Sequence, residues 1–155
     1  MKTFFFIAMV LLCAAAASPA QGPTPSPTPS PTPEPEPLPG LRSRIYDIAG
    51  VLGNDGFKAR DGAWSGRLEG GKAQRLAVNL FAGNQYWFFA AASESKDAPI
   101  LVLRNSAGRT VDTIRHEADG VAALGVTAPA TGTYTVEIKD SSPRTQDFSL
   151  LYFFK

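Results

Sequence analysis

The sequence predicts an all-β fold, a β-sandwich or barrel of about seven or eight short antiparallel strands. Three observations lead there. From Phe57 onward, apolar or alternating runs recur at roughly ten-residue spacing, separated by turns that carry Gly70-Gly71, Gly83, Gly108, Gly120 and Gly132. No sustained amphipathic helical period occurs in that region. The first forty residues belong to two other compositions, an apolar run and then a stretch with proline at nearly every second position. The 155 residues allow one domain. About 100 of them suffice for a single core of this kind.

The opening MKTFFFIAMVLLCAAAASPAQG has the layout of a secretory signal peptide, expected over residues 1–20. Lys2 is the positive start, Phe4 to Leu12 the apolar run, and the alanines permit cleavage after Ala17 or Ala20. The apolar stretch falls short of the roughly 20 residues that a membrane helix needs, so no span is expected after cleavage. The expected compartment is the periplasm or the exterior. Cys13 is the one cysteine and lies inside this segment, so the mature fold is expected to hold by burial alone, without thiol chemistry.

Residues 21–40 read as a proline-rich, disordered linker. Proline fixes φ and removes the N–H donor, which excludes helix and sheet. A polyproline II rod at about 3.1 Å per residue would span on the order of 55 Å. It reads as a spacer or as a recognition ligand. Residues 41–56, LRSRIYDIAGVLGNDG, form a neck. Ile45, Ile48, Val51 and Leu52 recur at helical spacing, whereas Gly50 and Gly53 oppose a long helix. A short helical turn or an irregular strip laid on the domain is expected there.

The domain, residues 57–155, begins with AWSGRL (63–68) and the alternating QRLAVNLF (74–81). QYWFFAAA (85–92), PILVLR (99–104), RTVDTI (109–114), GVAALGV (120–126), TYTVEIK (133–139) and DFSLLYFF (147–154) complete the predicted strands. Two of them raise a question. Tyr86-Trp87-Phe88-Phe89 and the last strand are apolar on both faces, whereas a strand with one wet face alternates.

Several of these pieces together resemble the bacterial pre-peptidase C-terminal type of domain, a jelly-roll-like β-sandwich. They are Gly66-x-Leu68, the Ala82-Gly83-Asn84-Gln85 turn, Leu101-x-Leu103 with Gly108, and the run Pro129, Gly132, Tyr134, Val136, Ile138. The resemblance covers about residues 60–155. It implies a non-catalytic binding or accessory module. SKDAPILVL carries Asp97 alone where the family is often Asp-rich, which speaks against a calcium site, and no peptidase is attached. The layout is also similar to that of periplasmic inhibitors of goose-type lysozyme, the alternative reading. The family-like register places Tyr86, Phe88 and Ala90 inward, with Tyr134 in the core. Trp87 and Phe89, together with Leu151 and Phe153, then form an outward apolar strip. Either the neck covers that strip, or it binds a protein or envelope partner or a second copy of the chain.

The chemistry-bearing residues are few. His116 stands alone in the charged stretch TIRHEADG and reads as a solvated turn residue. Asn54, Asp55 and Asp61 lack the ligand count and spacing of a calcium loop. Arg104, Arg109 and Arg115 come from one hairpin and its exit, a weakly basic edge at most. No catalytic residues, metal or cofactor are expected. The formal net charge is +1, and cleavage would leave 14 basic and 14 acidic residues with no basic block, so no nucleic-acid partner is expected.

Overall fold

The computed structural model describes residues 39–93 and 96–155. The expected signal peptide and residues 21–38 of the expected linker lie outside the described residues. One helix, α1 (Pro39–Asn54), precedes nine strands: β1 (Lys58–Ala59), β2 (Trp64–Leu68), β3 (Ala73–Leu80), β4 (Gln85–Ala92), β5 (Ile100–Arg104), β6 (Ile114–Ala118), β7 (Val121–Thr127), β8 (Gly132–Lys139) and β9 (Gln146–Phe154). They form two antiparallel sheets. The larger runs β1-β9-β4-β7-β6, with β2 also paired to β9, and the smaller runs β3-β8-β5. The sheets pack face to face, a β-sandwich rather than a closed barrel.

Period-two patterning builds the space between the sheets. Val78 and Leu80 of β3, Leu101 and Leu103 of β5, and Tyr134, Val136 and Ile138 of β8 point inward from the small sheet. Tyr86, Phe88 and Ala90 of β4 meet them from the large sheet, with Leu124 and Val126 of β7 and Phe148, Leu150 and Tyr152 of β9. Buried tyrosines need partners for their hydroxyls. Tyr134 donates to the carbonyl of Ala130 at 2.8 Å, and Tyr86 accepts from the Phe81 amide at 2.9 Å, tying down the turn before β4.

The second apolar face of β4 and β9 has its own cover. Phe89 and Ala91 of β4, Val121 and Ala123 of β7, and Leu151 and Phe153 of β9 form a separate buried cluster with Leu41, Ile45, Ala49 and Leu52 of α1. Those four recur at intervals of four, four and three, one stripe of a 3.6-residue helix. Each large side chain buried this way is worth about 1.5–3 kcal/mol.

The neck is therefore one 16-residue helix, not a short turn or an irregular strip. It begins at Pro39, in the expected linker; the missing N–H costs nothing at a first helical position. It ends in a Schellman cap. Gly56 has φ +82°, the Phe57 amide bonds the Leu52 carbonyl at 3.2 Å, and both side chains join the buried cluster. Val51, counted with the apolar stripe in the sequence, is 68% exposed, and Ala49 takes the inward place.

One strand also differs from expectation. In the stretch RTVDTI, Thr110 forms an isolated bridge to Arg104, and of the rest only Ile114 enters a strand ladder, opposite Gly125. The strand β6 is instead Ile114–Ala118, so His116 sits on a strand, not in a turn. All five of its residues are exposed, and an edge strand with no buried side leaves no alternation to read.

Candidate functional site

Residues directly opposite on antiparallel strands share a face, so the ladders of the large sheet define rows across its outer side. One row is Phe153, Trp87, Gly125 and Ile114, and the next is Leu151, Phe89, Ala123 and His116. The four residues of the sequence-predicted strip do lie together on this outer face, but in different surroundings. Phe89, Leu151 and Phe153 are buried beneath α1 and are not a free surface. Trp87 is half-buried at the margin of the helix-covered cluster.

Gly125 decides how Trp87 lies. A Cβ built at Gly125 would stand 2.7, 2.8 and 2.8 Å from Cζ2, Cε2 and Cη2 of the indole. These are three successive atoms of the six-membered ring. Near-equal distances to all three put the face of the ring, not its edge, over the glycine. The indole thus lies down across β7 in the space that a side chain at 125 would occupy. Phe89 braces it at 6.2 Å between centroids, and the His116 ring stands at 5.7 Å, tilted by 30°.

Beside the indole a cleft of about 450 Å³ opens, within the range of small-ligand sites. Trp87, Gly125 and Ile114 line it together, and Ile114 is 61% exposed. Gln85, Thr127, Asp112 and Thr113 supply its polar lining, beside Tyr86 and Val126. Gln85 and Thr127 face each other across the ladder and share the outer side with Trp87. The arrangement offers a flat apolar platform with an amide, two hydroxyls and one carboxylate around it. Its chemistry is complementary to a group that is apolar on one face and hydroxylated or amide-bearing at its edge. Among the described residues, no group of three or more His, Cys, Asp or Glu side chains is placed to hold a metal.

Sequence reasoning picked out Trp87 but missed the rest of the cleft. The available signal was Gly125, a glycine inside the apolar run VAALGVT, which marks close approach of another group. Asp112 and Thr113 carried no signal, because they lie in an irregular connection whose path depends on where β6 starts. Comparison with protein-family models and with curated proteins finds no match to this chain.

Proposed function

We propose that the protein is a secreted or periplasmic, non-catalytic binding module of the bacterial cell envelope, and that it takes its ligand at the Trp87 cleft. The observation that carries the reading is the indole laid flat on Gly125 at the edge of a polar-rimmed cleft. A half-buried tryptophan held in one orientation has little conformational freedom left to lose on binding, the condition under which aromatic side chains act as anchors. The signal-peptide pattern supports the address. The resemblance to pre-peptidase C-terminal domains of the jelly-roll type supports a binding or accessory role over an enzymatic one.

The test is co-sedimentation of the mature protein with purified cell-wall sacculi and, separately, with envelope membrane vesicles. Binding to one of them is expected. Trp87→Ala should weaken it by roughly 2 kcal/mol, or about 30-fold. Gly125→Ala should do the same by lifting the indole, while both variants retain a cooperative melt. Binding that survives both changes, or no binding to either preparation, contradicts the proposal.

A further inference from the structure

On the other side of the sandwich, the outer face of the small sheet carries a second, polar cleft of about 590 Å³. Its residues are mutually fixed. Glu137 of β8 accepts from Arg75 Nε of β3 at Oε1 and from Arg104 Nε of β5 at Oε2, both at 2.8 Å. Arg104 is held further, since its Nη1 donates to the Gly108 carbonyl at 3.2 Å and to Thr110 Oγ1 at 3.3 Å. One carboxylate thus pins two guanidiniums by their Nε atoms, which leaves both Nη atoms of Arg75 and Nη2 of Arg104 to other partners.

The hydrogen-bond inventory of the cleft is one-sided. Each oxygen of Glu137 already accepts from an arginine. Asn105 Oδ1 is taken by the amides of Ala107 and Arg109, each at 3.0 Å, so its side chain has only its NH₂ to offer. Among the described residues, no bond engages the Nη atoms of Arg75, Nη2 of Arg104, or the hydroxyls of Ser106 and Thr135. All of these can donate. The charged groups of the lining are two guanidiniums against one carboxylate, a net positive site. Thr133 donates its hydroxyl hydrogen to Asn79 at 2.9 Å and adds no donor, but a cleft with two guanidiniums, further donors to spare and a net positive charge matches an oxyanion. The donors come from β3, β5, β8 and the turn after β5, on one face of the small sheet.

We infer that this face is a second binding site, for a phosphate or sulfate group, with Arg75 and Arg104 as the charged ligands and Ser106 and Thr135 as hydroxyl donors. It is independent of the Trp87 cleft. The test is an amide NMR titration of the mature protein with inorganic phosphate, inorganic sulfate and glycerol phosphate, with acetate and chloride at matched ionic strength as controls. Saturable shifts are expected at residues 75, 104–106 and 135 with the tetrahedral anions. A tighter response to the ester than to the free ion assigns the site to an esterified ligand, and an equal response assigns it to the ion itself. Arg75→Gln, an exposed change on a strand surface, should weaken binding about tenfold. Thr135→Val should weaken it less, and Trp87→Ala should leave it unchanged. No saturable shift, equal shifts with chloride or acetate, or a response that persists in Arg75→Gln overturns the inference.

Discussion

Glu137 shows how much a single side chain organises here. The hydrogen bond from Arg75, and then that from Arg104, hold its carboxyl below the usual carboxylate range, against an opposing effect of burial. The linkage sign follows from that direction. A folded-state pKa below the unfolded one means that the unfolded chain takes up the proton first, so stability rises with pH. The contribution is complete above the ordinary glutamate value of about 4.3 and is lost as pH falls below it through the folded value. Urea unfolding should therefore show wild type more stable than Glu137→Gln at about pH 6, with the gap closing toward about pH 3. A gap that is constant with pH would mean that the carboxylate is not preferentially ionised in the folded state. Arg75 has a side chain 70% exposed, so the gap should also shrink in high salt.

The helix α1 is the element on which sequence and structure part most clearly. Its stripe was half legible. Ile45, Ile48, Val51 and Leu52 recur at helical spacing, but Gly50 and Gly53 oppose a long helix in the sequence. Each glycine costs about 0.5–1 kcal/mol relative to alanine. Leu41, Ile45 and Leu52 each return more than that by burial against Phe89, Leu151 and Phe153, so tertiary contact overrides propensity. Gly50 is exposed, and a Cβ there would meet nothing within 4 Å. Gly50→Ala should raise the unfolding free energy by about 0.5–1 kcal/mol. Ile45, fully buried, should lose about 2–5 kcal/mol as Ile45→Ala. Chemical denaturation of the two variants checks both. If neither changes stability, α1 is not docked in solution.

For the whole molecule, the two-sheet architecture was readable because its strands alternate or run apolar between glycine turns. Tyr134, Phe88 and Leu150 stand in the core for that reason. What could not be read was anything set by the third dimension alone. The edge strand β6 has no buried side. The cleft joins Gln85, Asp112 and Thr127 from three separate segments. Trp87, Phe89, Leu151 and Phe153 were legible as a strip, but not which of them α1 would leave open. The helix covers the middle of the outer face of the large sheet, and the proposed ligand site, Trp87, Gly125 and Ile114, lies at the margin of that cover. The chain carries two tryptophans, which makes a direct measurement available. Trp64 stacks on Tyr152 at 5.4 Å, on the other side of the sandwich's large sheet from α1, and serves as an internal control. The indole N–H resonances of both should be followed while soluble cell-wall fragments and envelope lipids are titrated in. The Trp87 signal should move and saturate while the Trp64 signal stays in place. A Trp87 signal that stays still with both preparations, or a Trp64 signal that moves instead, would contradict the proposed site.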